Sequence, residues 1–158
     1  MEHTTMTTFG DGLLGRAYGE LVNALEVAHV WFGDYVTLAD WPEIWLNEGF
    51  ASYGEVLWYE QDNGALGRRR YVESQVESYF NWQQYEGLSP VYDPNYLFGG
   101  AVYDKGSVVL DMLRTLLGDE AFFEAVALYV DRYAHSNATT SDLEEVFSEV
   151  YGLSLIHI

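Results

Sequence analysis

One short stretch of the sequence carries residues whose types and spacing suit metal chemistry. Leu25, Glu26 and His29 lie within the run Leu-Glu-Val-Ala-His. In the pattern His-Glu-x-x-His, the two histidines lie about 40° apart around an α-helix, so both imidazoles reach one Zn²⁺ and the Glu is the general base. Here the Glu and the second His are present, whereas Leu25 occupies the first His position. The spacing therefore predicts a zinc site that lacks one ligand.

A further metal ligand is expected from a second helix. Glu48 follows His29 after eighteen intervening residues, within the run Trp-Leu-Asn-Glu-Gly-Phe. Taken singly, these residues have ordinary structural explanations, because a lone His on a semi-apolar helix is usually packed in a core and a lone Glu is usually a surface carboxylate. Only the ordered set indicates zinc chemistry.

The elements that would position these residues are mostly helices. Apolar residues recur with helical spacing from Tyr18 to Trp31, and Gly33 ends that segment. Asp40 is expected to cap the next helix, and Ser141 with Glu144 to cap the last one. The helices predicted after the first cover residues 41–61, 65–84, 103–117, 119–133 and 141–150.

Three other segments complete the expected architecture. Residues 1–9 are rich in Thr and lack strong helix formers, which predicts a strand. Residues 86–101 form a long loop with Pro, Gly and aromatic residues, and a loop of this length in a compact domain usually wraps a functional site. The helix at 103–117 is expected to bury one apolar side, composed of Val108, Val109, Met112, Leu113 and Leu116.

Composition excludes several classes of protein. The chain has 158 residues, enough for one domain with a sizeable core, and a net charge of −18. Its 25 acidic residues against six Arg and one Lys argue against nucleic acid as a partner, since phosphate binding needs clustered cations. No apolar run approaches the length of a membrane span. The absence of Cys excludes disulfides, zinc fingers and thiol catalysis.

The segment from Leu25 to Glu55 resembles the catalytic core of the aminopeptidase N-like zinc aminopeptidases, which are gluzincins. Their pattern runs HExxHxWFGxxVTxxxW and then WLNEGFAxYxE. Met1-Glu2-His3 is similar to the end of that family's GxMEN or GxMEH substrate-binding motif. Tyr103-Asp104-Lys105-Gly106 is similar to its Y-x-K-G segment. The resemblance covers residues 1–152.

The resemblance implies a fold and a reaction. The fold is mainly α, the helical part of a thermolysin-like (α+β) zinc peptidase catalytic domain with one N-terminal edge strand. The reaction is zinc-dependent removal of N-terminal residues from peptides that have a free N-terminus. His29 and Glu48 are implied as zinc ligands, and Glu26 as the general base.

Three further residues receive roles from the same resemblance. Tyr103 would donate a hydrogen bond to the oxyanion, and Glu2 would pair with the α-ammonium group of the substrate. Glu55, seven residues after Glu48, is a candidate to orient His29.

Leu25 is the main departure from the family pattern. Loss of one zinc ligand is expected to cost on the order of 3–4 kcal/mol, a hundred- to thousandfold in affinity, so Leu25 should weaken zinc binding. Two other functions stay open at this point. One is a catalytically inactive peptide-binding protein that retains Glu2 and the cleft, and the other is a purely structural helical module.

The two ends of the chain are expected to differ in origin. Residues 1–152 are interpreted as a partial peptidase catalytic domain that begins inside a family motif. Residues 153–158, Leu-Ser-Leu-Ile-His-Ile, match the translation of a transposon-end adapter and are interpreted as a non-native tail.

Overall fold

A computed structural model of the chain describes residues 3–13, 15–16 and 18–152, so the expected tail at 153–158 lies outside the described residues. Five α-helices and two short strands make up the described part. In chain order these are α1 Gly19–Ala28, β1 Val36–Leu38, α2 Trp45–Glu86, α3 Asp104–Leu117, α4 Asp119–Arg132, β2 Ser136–Ala138 and α5 Thr140–Tyr151. Single 3-10 turns lie at Asp11–Leu13 and Trp41–Glu43. The prediction of a mainly helical fold is confirmed.

Helix α2 consists of two helical segments that meet at Gly64. Gly64 has φ +66° and ψ −170°, a conformation that glycine adopts without a Cβ clash. The predicted helices at 41–61 and 65–84 are therefore confirmed as consecutive parts of one long element. Although α2 is 42 residues long, no helix in the described ranges is both long and apolar enough to cross a membrane.

The sheet is small and joins distant parts of the chain. Strands β1 and β2 pair in parallel, with Val36 opposite Ser136 and Leu38 opposite Ala138. The edge strand expected over residues 1–9 is not formed by its described part, residues 3–9. A strand exists only through a ladder of hydrogen bonds to a neighbouring strand, which composition does not encode. The Thr-rich composition alone was therefore not enough to predict a strand here.

The core lies where α2 packs against α3, α4 and α5. Phe50 stacks on Phe32 with ring centroids 4.2 Å apart, and its other neighbour in the stack is Tyr129 at 6.0 Å. The remaining large buried side chains of this core include Trp45, Leu46, Tyr53, Val56, Leu110, Phe122, Leu143 and Phe147. The aromatic stack fastens the turn after α1 to the first part of α2.

Helix α3 buries a different side from the one expected. Its buried residues are Gly106, Ser107, Leu110 and Arg114, whereas Met112 and Leu116 of the predicted apolar side are 61% and 48% exposed. Small residues near its start let α3 approach α2 closely, and this contact decides which side faces inward. The prediction was wrong for Met112 and Leu116 because it ranked apolarity above the closeness of helix approach.

The cap of α5 also differs from the expected one. Thr139 Oγ1 accepts a hydrogen bond from the Asp142 amide at 3.2 Å, and Asp142 Oδ2 accepts one from the Thr139 amide at 2.8 Å. This reciprocal capping box lies two residues before the predicted pair, Ser141 and Glu144. Both pairs fit the capping-box spacing, and the extended backbone of Thr139 decides between them.

Candidate metal centre

The structure brings His29 and Glu48 together. His29 caps the C-terminal end of α1, and Glu48 lies in the first turn of α2. His29 Nε2 lies 3.3 Å from Glu48 Oε2, and the two side chains are only 3% and 10% exposed. Two residues that are distant in sequence thus form one buried polar pair.

A backbone carbonyl orients the imidazole of His29. Its Nδ1 lies 3.0 Å from the carbonyl oxygen of Phe32. A carbonyl can only accept a hydrogen bond, so Nδ1 carries the proton and donates it, and the opposite ring nitrogen faces Glu48. Because the Phe32 ring is stacked on Phe50, the core holds this carbonyl in place. Such support of the second ring nitrogen is typical of metal-ligating histidines.

The His29–Glu48 pair suits a zinc ion in donor type and in spacing. Nitrogen and oxygen ligands at tetrahedral zinc, each about 2.0–2.1 Å from the metal, lie roughly 3.3–3.4 Å from one another. The observed separation is 3.3 Å. A neutral imidazole nitrogen and a carboxylate oxygen are both acceptors, so this approach is favourable only with a proton or a metal ion between them.

The pair does not by itself complete a zinc site. Among residues 3–13, 15–16 and 18–152, no group of three His, Cys, Asp or Glu residues is arranged to hold a metal ion. Leu25 lies one helical turn before His29, on the same side of α1, and is half-buried. The described residues therefore supply two ligands of the kind that zinc prefers, and they do not supply a third.

Of the other predicted site residues, Glu26 lies on α1 and Tyr103 directly before α3. Glu26 is buried on α1, one turn before His29. Tyr103 is half-buried at the start of α3, where its carbonyl accepts a hydrogen bond from the Ser107 amide at 3.0 Å. Glu2 lies outside the described residues. The substrate-facing part of the site therefore stays a prediction.

Glu55 lies in a separate polar contact further along α2. The Tyr71 hydroxyl donates to Glu55 Oε2 at 3.0 Å. Burial raises the pKa of the Glu55 carboxyl to about 7, against the lowering effect of the Tyr71 hydrogen bond and with a small contribution from Asp104. His29 Nδ1 donates its hydrogen bond to the Phe32 carbonyl, so the orienting role predicted for Glu55 from the sequence stays a prediction.

Sequence reasoning missed the group that orients His29. That group is the backbone carbonyl of Phe32, which has no side-chain signature. The only available signal was indirect: Phe32 and Phe50 each belong to one of the two motif runs, and their rings stack. Phe32 thus supports His29 through its backbone carbonyl, while its ring packs in the core.

A His on one helix facing a Glu on the next, within a mainly helical fold, is typical of the helical part of zinc peptidases. The Peptidase family M1 domain profile matches residues 16–158. This chain therefore belongs to peptidase family M1.

Named relatives agree with this assignment. The chain is 37% identical over 140 residues to Aminopeptidase M1-C of Oryza sativa subsp. japonica, a match that covers 82% of this chain and 16% of that protein. It is 35% identical over 136 residues to Aminopeptidase N of Haemonchus contortus, covering 80% of this chain and 14% of that protein. The chain thus spans about one sixth of the length of these relatives.

Solved structures give the same answer. The M1 zinc metallopeptidase from Deinococcus radiodurans matches with a TM-score of 0.72 and 31% identity, over 84% of this chain and 30% of that chain. Leukotriene A4 hydrolase from Saccharomyces cerevisiae matches with a TM-score of 0.75 and 28% identity, over 84% of this chain and 23% of that chain. The fold is that of the helical part of an M1 peptidase domain.

Proposed function

We propose that this chain is part of a longer zinc metalloaminopeptidase that removes N-terminal residues from peptides, with residues 1–152 as a portion of its catalytic domain. The observation that carries this proposal is the buried pair His29 Nε2 and Glu48 Oε2, 3.3 Å apart, in a chain of peptidase family M1. The names of the matched relatives, which are aminopeptidases and zinc metallopeptidases, support the substrate class.

In this proposal each residue has one chemical task. His29 and Glu48 hold the zinc ion, which when bound polarises a peptide carbonyl and lowers the pKa of water. The Glu26 carboxylate accepts a proton from the attacking water and passes it to the leaving amine. The Tyr103 hydroxyl donates a hydrogen bond to the oxygen on which negative charge develops.

Substrate selection is assigned to Glu2. Its carboxylate would pair with the free α-ammonium group of a peptide, so an acetylated peptide would bind weakly. Such a charge pair restricts cleavage to the N-terminal residue. Glu2 lies outside the described residues, so this part of the proposal rests on the sequence resemblance.

Leu25 sets how well the chain performs this function as it stands. An apolar side chain supplies no lone pair, so zinc affinity should be lower by a factor on the order of a hundred to a thousand. The absence of a third ligand among the described residues favours a second candidate function, a catalytically inactive peptide-binding protein. The two candidates share the cleft and differ in zinc binding and turnover.

The test is Leu25→His in the full-length protein that contains this chain. We expect the variant to purify with one zinc per chain and to hydrolyse a chromogenic amino-acid amide, whereas the unsubstituted protein does neither at ordinary zinc concentrations. Val27→His, on the exposed side of the same helix, controls for adventitious zinc binding by an added imidazole. In the Leu25→His background, Glu26→Gln should retain zinc and lose turnover.

Three outcomes separate the candidates. One zinc per chain in the unsubstituted protein contradicts the role given to Leu25. Zinc without turnover in the Leu25→His variant contradicts the aminopeptidase proposal. Isothermal titration with a free-amine peptide and its acetylated twin then decides the alternative, since only a peptide-binding protein of this kind distinguishes them without turnover.

A further inference from the structure

The two motif runs that carry Glu48 and Tyr103 each contain a glycine, and these glycines touch. Gly49 follows Glu48 in α2, and Gly106 lies one helical turn after Tyr103 in α3. A Cβ built on Gly49 would lie 3.1 Å from the Cα of Gly106, and a Cβ on Gly106 would lie 3.0 Å from the Cα of Gly49. The backbones of the two helices are therefore in direct contact at this point.

We propose that Gly49 and Gly106 are positioning residues, whose backbone contact sets the place of the Tyr103 hydroxyl relative to the Glu48 carboxylate. This inference rests on the proposed function for the role of Tyr103. A glycine inside a helix costs roughly 0.5–1 kcal/mol relative to alanine. Gly49 and Gly106 lie near the starts of their helices, are both buried and face each other, which indicates that the closeness of approach itself is required.

The contact cannot relax by rotation of a side chain. Each added Cβ would meet backbone atoms, and Trp45 closes the same gap, with side-chain atoms 3.4 Å and 3.8 Å from the two built Cβ positions. Trp45 is itself held, because its Nε1 donates to Thr140 Oγ1 at 2.8 Å. An alanine at position 106 must therefore displace α3 from α2. Opening the shortest contact from 3.0 Å to the ordinary 3.4 Å requires a shift of about 0.4 Å.

The other side of α3 is held by the second part of α2. The Ser78 hydroxyl donates to Asp104 Oδ2 at 2.7 Å, and the Ser107 hydroxyl donates to Gln75 Oε1 at 2.9 Å. Lys105 Nζ donates to the Ser89 carbonyl at 3.0 Å. These bonds fasten residues 104, 105 and 107, so the start of α3 is restrained from two directions. The glycine contact and these hydrogen bonds together therefore fix the position of Tyr103, the residue before this turn.

The experiment compares alanine substitutions in the full-length protein carrying Leu25→His. Gly106→Ala should lower kcat roughly tenfold with KM within about twofold and zinc content unchanged, because the oxyanion contact acts in the transition state and depends on sub-ångström placement. Gly12→Ala is the matched control, since a Cβ there meets nothing within 4 Å, and it should leave kcat unchanged.

A double-mutant cycle distinguishes positioning from a general structural defect. Tyr103→Phe removes the hydroxyl, so in that background Gly106→Ala should change kcat by less than about twofold. If Gly106→Ala lowers kcat by the same factor with and without the Tyr103 hydroxyl, the proposal is overturned. If Gly106→Ala fails to fold, Gly49→Ala tests the same contact from the other helix.

A structural readout keeps this inference separate from the proposed function. If the Leu25→His protein shows no turnover, the aminopeptidase proposal fails, and crystal structures of the variants decide the positioning claim. Gly106→Ala should then widen the separation between the Cα atoms of residues 48 and 103 by about 0.4 Å, and Gly12→Ala should not. An unchanged separation overturns the positioning claim.

Discussion

Two buried polar clusters on α2 are built in opposite ways. Arg114 donates to Glu60 at 2.6 Å and to Asp119 at 2.8 Å, which surrounds one cation with carboxylates. The His29–Glu48 pair instead brings two acceptor atoms to 3.3 Å. The Arg114 cluster joins hydrogen-bond donors to acceptors and ties α2, α3 and α4 together, whereas two facing acceptors need a proton or a metal ion between them.

Burial of polar groups does not by itself mark a functional site. The central side chain of each cluster is shielded from water, since Arg114 is only 4% exposed and His29 only 3%. The hydrogen bonds from Arg114 to Asp119 and Glu60 raise the pKa of its guanidinium, so Arg114 keeps its positive charge at every ordinary pH. What distinguishes the His29–Glu48 pair is that two hydrogen-bond acceptors face each other, as the ligands of a metal ion do.

Removal of Arg114 should break the self-contained cluster with the largest effect. Arg114→Met is expected to lower the free energy of unfolding by about 3–5 kcal/mol, because Glu60 loses its buried partner. Urea denaturation measures this change. Arg69→Met is the control, since the Arg69–Glu73 pair is 77% and 58% exposed and should contribute less than about 0.5 kcal/mol. A loss below about 1 kcal/mol for Arg114→Met would contradict the structural role of this cluster.

Glu55 provides an intermediate case, a buried carboxyl hydrogen-bonded to a neutral hydroxyl. Its pKa is about 7 in the folded chain against an ordinary value of 4.5, so the folded state holds a proton that the unfolded state releases between these values. Stability should therefore be greatest below about pH 4.5 for this group and fall by on the order of 3 kcal/mol as the pH rises to 7.

Glu55→Gln should remove this pH dependence. Unfolding measured from pH 4.5 to 8 is expected to show a smaller decline for the variant than for the unsubstituted protein. Glu77→Gln, at an exposed position of the same helix, should leave the decline intact. A parallel decline in all three proteins would mean that Glu55 is ionised normally in the folded state.

The smallest effect, and the one of opposite sign, is expected at the His29–Glu48 pair. In Glu48→Gln the side-chain amide can donate to His29 Nε2, so the two facing acceptors become a hydrogen-bonded pair. At pH 8 with a chelator present, the free energy of unfolding should rise by about 0.5–1.5 kcal/mol. In the Leu25→His background, Glu48→Gln should lose the bound zinc. Glu60→Gln makes the same substitution in the other cluster and should destabilise instead. Equal signs for the two substitutions would refute the contrast.

The sequence predicted the helices because their apolar periodicity and their terminating glycines are local properties. The segments at 103–117 and 119–133 are observed as Asp104–Leu117 and Asp119–Arg132, with Gly118 between them. The pairing of β1 with β2 could not be predicted in this way. Strands of three residues that pair across a hundred positions carry no local signal beyond their composition.

The sequence by itself determined the family and predicted His29 and Glu48 as metal ligands and Leu25 as an apolar substitute, since helical spacing and residue type are written in the chain. Only the tertiary structure decided that the Phe32 carbonyl orients His29 and that two glycines bring α3 against α2. These features depend on backbone atoms of distant segments. Backbone atoms are chemically alike at every position, so only the packed fold shows which of them touch a functional side chain.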